Sequence, residues 1–306
     1  MDFNEFSENV VKSIKTCLGD DVKVEVKKVR KNNDVKLHGL IISKEQSSVS
    51  PTIYLDGFFR DHQQGKALGD IVYEIVDIYE KNKVSANINL DFFLDYSAVK
   101  GRIFIKVIHY DKNKEMLEEV PYIRFMDLAV VCYYAYINDF LGKGSIQIET
   151  GHLDRWGISE EELFAAAKSN TQNKLGVEIK GMDEILLEML SENGEEIDQE
   201  DLKSMLQHSE KEVPMYIMTL KGRYFGAACI FYEEMLAAFG RQCQKSFYIL
   251  PSSIHELILV PDSGREKPEA LRRMVQEVNA GHVAPEERLS DNVYYYNLQE
   301  GCLHML

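Results

Sequence analysis

Residues 246–262 are SFYILPSSIHELILVPD. Two apolar runs stand on either side of a six-residue polar interruption at 251–256. Two runs of strand-forming residues separated by a turn are typical of an antiparallel pair of strands. This stretch therefore predicts a β-hairpin whose turn carries two serines, a histidine and a glutamate.

The segments on either side of the hairpin extend this pattern into a larger unit. Residues 214–220 have the composition of a strand and residues 223–239 the periodicity of a helix. After the hairpin, residues 267–279 predict an amphipathic helix and residues 293–298 a last strand. The resulting β-α-β-β-α-β order is that of a split βαβ unit, an antiparallel sheet that carries its helices on one face.

The N-terminal part of the chain mixes the same two periods. An apolar residue at every third or fourth position predicts a helix from Phe3 that ends near Gly19, and alternating valines predict a half-buried strand over 22–27. The apolar and aromatic run at 125–137 fits either a buried strand or a helix. We therefore expect an α+β protein with mixed, mainly antiparallel sheets and helices packed on one face.

Charge is distributed unevenly along the chain. The 306 residues have a net charge of −15, and 11 acidic residues against two lysines give the segment 181–212 a net charge of −9. A nucleic-acid binder needs clustered lysine and arginine to neutralise phosphates, so we expect no direct nucleic-acid partner. The acidic segment is expected to be a helical or loop linker between an N-terminal α+β domain, 1–180, and a C-terminal α+β domain, 213–306.

Three features of the sequence indicate a cytoplasmic protein without a membrane partner. No apolar run approaches the ~20 residues that span a bilayer. The first residues are acidic and amphipathic, unlike the basic start and apolar core of a signal peptide. The five cysteines are odd in number, which agrees with reduced thiols in the cytoplasm. They include no C-x-x-C pair, which argues against a structural zinc site. We expect no cofactor.

The turn of the hairpin holds the residues with the greatest catalytic potential. Ser252 or Ser253 could act as a nucleophile, with His255 as its base and Glu256 as the group that orients the histidine. Neighbouring residues of a strand point to opposite faces, however, which would separate His255 from Glu256. The sequence also lacks a G-x-S-x-G elbow. The alternative is that the serines bond turn amides while His255 begins a strand.

A second polar cluster, His152 and Asp154 with Trp156, comes just before a predicted helix. Ser159 and Glu162 mark the start of that helix with the spacing of a capping box. A histidine and a carboxylate could contribute to a metal site. One histidine and one carboxylate do not complete such a site, and Trp156 fits a packing role at the helix entrance. We therefore expect no metal at His152 and Asp154.

Six short strings, spread over almost the whole length, carry a resemblance to a known family. They are SPTIYL at 50–55, VPYIRF at 120–125, HL with WGI within 152–158, FGAAC at 225–229, YILPSSIHE at 248–256, and APEE with LSD within 284–291. On these strings the chain resembles the bacterial family called domain of unknown function 5688, seen in gut Clostridia. The resemblance implies no activity, cofactor or catalytic residue.

Three functions are compatible with these patterns. The leading hypothesis is a non-enzymatic interaction or regulatory protein that binds another protein through the acidic segment or through exposed tyrosines. The tyrosines concerned are Tyr133, Tyr134, Tyr136, Tyr294, Tyr295 and Tyr296, because consecutive tyrosines on a strand place rings on both faces. One alternative is a hydrolase-like enzyme that uses Ser252 or Ser253 with His255. The other is an acidic mimic that occupies a basic nucleic-acid-binding protein.

Overall fold

The protein is described by a computed structural model, which covers residues 1–19, 21–44, 50–82, 91–138, 142–185, 188, 214–251 and 253–306. The chain forms two compact units. The first unit consists of Met1–Val99 and Ala135–Ile146, and the second unit of Lys100–Tyr134 and Gln147–Leu306. In the part of the chain so described, no helix combines the length and the apolar character needed to cross a bilayer.

The first unit contains a three-stranded antiparallel sheet with helices on one face. Its elements are α1 (Phe3–Leu18), β1 (Val22–Arg30), β2 (Lys36–Lys44), β3 (Thr52–Tyr54), α2 (Leu55–Gln63), α3 (Leu68–Asn82) and α4 (Tyr96–Val99), and the sheet order is β1-β2-β3. Helix α1 begins where Asp2 accepts a hydrogen bond from the backbone N–H of Glu5, and it ends at Gly19, as predicted. Its apolar stripe, which includes Phe6, packs in one core with Leu40 of β2.

Two hydrogen bonds between His38 and Asp56 tie β2 to the first turn of α2. Asp56 accepts hydrogen bonds from the backbone N–H of His38 at 2.7 Å and from its ring Nδ1 at 2.9 Å. Burial by itself raises the pKa of the Asp56 carboxyl, but the hydrogen bonds from His38 outweigh it. The pKa of Asp56 therefore lies below its ordinary value of 3.8.

Replacing Asp56 by asparagine is expected to remove a pH-dependent part of the stability of the first unit. Because the pKa is lower in the folded chain than in the unfolded chain, the carboxylate stabilises the fold above about pH 4 and loses this effect as the pH falls through the lowered pKa. Near neutral pH we expect the free energy of unfolding to fall by about 1–2 kcal/mol. Urea unfolding at a series of pH values checks this. The two proteins should converge on acidification, and a difference that stays constant down to about pH 3 would contradict the role of the carboxylate.

The second unit contains two sheets. Its helices are α5 (Lys114–Leu117), α6 (Thr150–Trp156), α7 (Glu160–Asn170), α8 (Glu233–Cys243) and α9 (Pro268–Gly281), with a 3₁₀ helix at Gly226–Phe231. Its strands are β4 (Ile103–His109), β5 (Tyr122–Phe125), β6 (Leu128–Asn138), β7 (Gly142–Gln147), β8 (Val177–Gly181), β9 (Tyr216–Leu220), β10 (Phe247–Leu250), β11 (Leu257–Pro261), β12 (Tyr294–Asn297) and β13 (Cys302–Met305). Residues 135–138 of β6 and 142–146 of β7 belong to the first unit. One sheet has the order β4-β6-β5, with β7 paired to β6, and the other has the order β13-β12-β10-β11-β9-β8.

The predicted hairpin forms the centre of the six-stranded sheet. Strands β10 and β11 are antiparallel, with Ile249 opposite Leu259. The β-α-β-β-α-β order is also present, from β9 through α8, β10, β11 and α9 to β12. Strand β13 extends the sheet at one edge and β8 at the other. The fold class is α+β with antiparallel sheets, as predicted.

The helices of this unit lie on both faces of the sheet, not on one face as predicted. Phe239 of α8 packs edge-on against Phe247, with 4.9 Å between ring centroids, whereas Leu271 of α9 packs in a core with Tyr248. Adjacent residues of a strand point to opposite faces, so the two helices are on opposite sides. Chirality explains the arrangement. Two crossover connections, from β9 to β10 and from β11 to β12, cross the sheet in the same direction. Because β9 and β11 are antiparallel, right-handed connections place the helix of one crossover on one face and the helix of the other on the opposite face.

The segment that could be strand or helix is a strand. Strand β6 begins at Leu128, and every residue from there to Tyr134 is buried. A strand covered on both faces is a continuous apolar run without alternation, which is why its periodicity does not distinguish it from a buried helix.

The predicted acidic linker stands between two paired strands. Strand β8 pairs with β9 so that Val177 lies opposite Leu220 and Gly181 opposite Tyr216. The residues between these strands include the acidic segment, most of which lies outside the described residues. The two compact units follow other boundaries along the chain, and the predicted division at 181–212 stays a prediction.

Candidate functional site

The hairpin turn meets the loop that follows β9. We call this place the His255 junction and define it as residues 219–226, 253–256 and Glu287. The hydroxyl of Thr219, near the end of β9, donates a hydrogen bond of 2.7 Å to the backbone carbonyl of His255. Within the hairpin turn, the backbone N–H of Ile254 donates to the carbonyl of Glu287 at 2.8 Å. One side-chain and one backbone hydrogen bond thus hold three distant segments of the second unit together.

The loop of the junction has an unusual backbone. Gly222, Arg223 and Phe225 have φ values of 94°, 53° and 54°. Non-glycine residues rarely occupy this left-handed region, because each costs on the order of 1–3 kcal/mol that the surrounding contacts must offset. Two of these three residues are not glycine, so contacts around the loop must hold its shape.

His255 supplies one of these contacts. Its ring Nδ1 accepts a hydrogen bond of 3.2 Å from the backbone N–H of Phe225, and its ring lies parallel to that of Phe225 at 5.7 Å. Because Nδ1 acts as an acceptor, the proton of the neutral ring is on Nε2. That nitrogen lies 3.5 Å from a carboxylate oxygen of Glu287. Both ring nitrogens therefore serve the structure of the junction.

The other residues of the predicted catalytic turn are placed differently from a triad. The hydroxyl of Ser253 accepts a hydrogen bond of 3.1 Å from the backbone N–H of His255, which is the turn-stabilising alternative. Glu256 lines a neighbouring cleft, and the carboxylate beside His255 is that of Glu287. Ser252 lies outside the described residues. The hydrolase arrangement stays a prediction.

The cleft beside the junction is small and charged. Its volume is about 30 Å³, and its lining includes Glu178, Lys180, Arg223 and Glu256. Lys180 forms ion pairs with Glu178 at 3.3 Å and with Glu188 at 2.6 Å. The hydrogen bond to Glu188 raises the pKa of Lys180 above its ordinary value. A space of this volume holds about one water molecule, so the cleft adds charge to the surface but does not enclose a substrate.

His152 and Asp154 lie on α6. The ring Nδ1 of His152 accepts a hydrogen bond of 2.9 Å from the backbone N–H of Glu149, and the ring stacks on Trp156 at 5.6 Å. Burial lowers the pKa of His152 below its ordinary value. His152 thus closes the start of the helix, while Asp154 is exposed on its surface. Ser159 accepts from the backbone N–H of Glu162, as the capping pattern predicts.

Most of the tyrosines named as interface candidates are part of the core. Tyr133, Tyr134, Tyr294 and Tyr296 are buried, and Tyr136 and Tyr295 are half-buried. Among the described residues the well-exposed tyrosines are Tyr73, at 74%, and Tyr224, at 46%. Tyr224 belongs to the loop of the His255 junction.

A buried carboxylate was not anticipated from the sequence. Asp127 lies in the two-residue turn between β5 and β6 and is 8% exposed. It accepts hydrogen bonds from the hydroxyl of Ser290 at 2.6 Å, from the side-chain amide of Asn292 at 2.9 Å and from the hydroxyl of Tyr294. These donors are more than 160 positions away in the chain, so no local pattern points to them. The three donors bond both carboxylate oxygens, which indicates a structural anchor.

Comparison with known proteins identifies a family without an activity. The model of a family of unknown function (DUF5688) matches residues 3–298. No curated protein and no solved structure matches the chain. The match agrees with the resemblance found in the sequence and assigns no function to the chain.

Proposed function

We propose that this chain, which belongs to the family of unknown function DUF5688, is a non-enzymatic binding protein that recognises another protein through the loop of the His255 junction. One observation carries the proposal. The side chain of Tyr224 is exposed on a loop whose backbone is held at positive φ on both sides, at Arg223 and Phe225. Strained backbone concentrates at functional sites, because folding alone favours relaxed alternatives.

The side chains on this loop are those that anchor protein interfaces. Tyrosine and arginine are over-represented among the residues that contribute most binding energy. The Tyr224 ring packs against Phe225, with 4.0 Å between centroids, and lies 5.6 Å from the His255 ring. These contacts hold the ring in place before binding, and such pre-organisation lowers the entropic cost of association. Arg223, whose side chain is 52% exposed and lies 3.4 Å from the carboxylate of Glu188, adds a paired cation beside it.

The contacts of His255 support binding in preference to hydrolysis. A general base needs a ring nitrogen that can accept the proton of the nucleophile. The accepting nitrogen, Nδ1, is engaged by the backbone of Phe225, and the other nitrogen faces Glu287.

We also propose a cytoplasmic location, since all five cysteines are free thiols and disulfides are rare in that compartment.

Replacing Tyr224 by serine is expected to abolish capture of the partner. The experiment compares tagged full-length wild type, Tyr224→Ser and Tyr73→Ser in affinity capture from the cytosol of the native cell, with quantitative mass spectrometry. Losing an anchor residue costs about 2 kcal/mol or more, so the affinity for the purified partner should fall by roughly 30-fold or more.

Tyr73→Ser is the matched control, because it removes the other well-exposed tyrosine from the first unit. It should capture the partner as well as wild type does. A partner retained equally by Tyr224→Ser would refute this recognition surface. A reproducible failure to enrich any protein over the tag alone would refute the binding function.

A further inference from the structure

The hairpin of β12 and β13 gathers three side chains with metal-binding atoms at the edge of the six-stranded sheet. Asn297 pairs with Cys302 across this hairpin, so Glu300 belongs to the turn between them. Cys302 and His304 are two positions apart on β13, and side chains at that spacing point to the same face. The geometry of a strand and its turn therefore brings a carboxylate, a thiol and an imidazole together.

The three donor atoms face one another closely. Nε2 of His304 lies 2.9 Å from Oε2 of Glu300 and 3.1 Å from Sγ of Cys302, and Sγ lies 3.5 Å from the same carboxylate oxygen. Donors bound to tetrahedral zinc at 2.0–2.3 Å are about 3.3–3.6 Å apart. An ion therefore requires the donors to separate by only a few tenths of an ångström. The side chains of Glu300 and His304 are about half exposed, at 57% and 49%, and have room to do so.

The chemistry of these donors selects a class of metal. A thiolate and an imidazole favour zinc and similar transition metals, whereas magnesium and calcium prefer sites made of oxygen atoms. Deprotonated Cys302 and Glu300 carry two negative charges, which match a divalent cation. Among the described residues, no other three His, Cys, Asp or Glu side chains converge in this way.

We propose that Glu300, Cys302 and His304 bind a thiophilic divalent metal ion of the zinc class, with a fourth coordination position open to water or an external ligand. Three protein ligands and one open position are typical of zinc sites that bind or activate a ligand. The sequence predicts no metal site, because its cysteines include no C-x-x-C pair. The proposed site departs from that prediction. It lies beyond the residues matched by the family model, 3–298, and does not depend on the proposed protein-binding function.

Zinc titration of the chelator-treated full-length protein tests the site. Wild type is expected to bind one zinc ion, and cobalt in its place should give the charge-transfer absorption of a thiolate ligand. Cys302→Ser and His304→Asn should each weaken zinc binding by more than about 100-fold, because even the loss of outer-shell partners costs 10–100-fold. Glu300→Gln should weaken it as well.

Two matched variants control for general effects. Cys17→Ser removes another exposed cysteine and His282→Asn another exposed histidine, and both should bind zinc as wild type does. Circular dichroism checks that every variant is folded. Failure of the wild type to bind one zinc ion would overturn the proposal. Zinc affinity equal to that of the wild type in Cys302→Ser would also overturn the proposal, and so would a cobalt thiolate band that persists in this variant.

Discussion

Gly226→Ala is expected to destabilise the second unit by about 3 kcal/mol or more, or to prevent it from folding. A β-carbon at this position would lie 2.6 Å from the backbone nitrogen of Leu220 and still closer to the hydroxyl oxygen of Thr219 and the carbonyl oxygen of His255. Two of these three atoms belong to the backbone and cannot rotate away. The loop and the hairpin turn would have to separate, which breaks the Thr219 hydrogen bond as well.

Urea unfolding of the full chain measures this effect, with Gly151→Ala as the matched control. Gly151 lies in α6 of the same unit, and a β-carbon there would meet no atom within 4 Å. Alanine favours a helix over glycine, so this variant should be unchanged or stabilised by up to about 1 kcal/mol. A Gly226→Ala protein within about 1 kcal/mol of wild type would contradict the close approach described for the His255 junction.

Asp127→Ala is expected to lower the free energy of unfolding by about 3–5 kcal/mol. The carboxylate is buried and accepts hydrogen bonds from Ser290, Asn292 and Tyr294. Its removal leaves the buried hydroxyls of Ser290 and Tyr294 and the half-buried side-chain amide of Asn292 without this acceptor. Each unsatisfied buried group costs about 1–3 kcal/mol where water does not replace the partner. The loss also detaches the turn between β5 and β6 from the sheet that contains β12.

A pair of neighbouring tyrosines separates the buried hydrogen bond from other effects. Tyr294→Phe deletes the hydroxyl that bonds Asp127 and should cost about 1.5–3 kcal/mol. Tyr295→Phe deletes a hydroxyl that bonds the half-buried Asp262 at 2.9 Å and should cost about 1 kcal/mol or less. Equal costs for the two substitutions would show that burial of Asp127 has no special role.

Local patterns predicted the elements of the chain better than their arrangement. The hairpin at 246–262 and the helix from Phe3 have strong periods, and both are present. The helix predicted over 223–239 is divided, because Tyr232 leaves the helical region between the 3₁₀ helix and α8. The faces on which α8 and α9 pack depend on strand order and crossover chirality, which no single segment encodes.

The sequence predicts only those parts of the candidate site whose residues are close to one another in the chain. The turn of the hairpin was identified from its composition, and Ser253 and His255 do lie together there. The partners that define the role of His255 are Phe225 and Glu287, each about 30 residues away in the chain. Tyrosine-rich runs did not reveal the exposed Tyr224, because exposure follows from packing and not from residue type.

Strands β8 and β9 have a consequence for how this family can vary. They pair in register at one edge of the sheet, so the chain between them departs from and returns to the same place. The entropy of closing such an excursion grows only with the logarithm of its length, and each doubling costs about 0.6 kcal/mol. Insertions, deletions or a grafted reporter domain in this stretch should therefore be tolerated by the sheet.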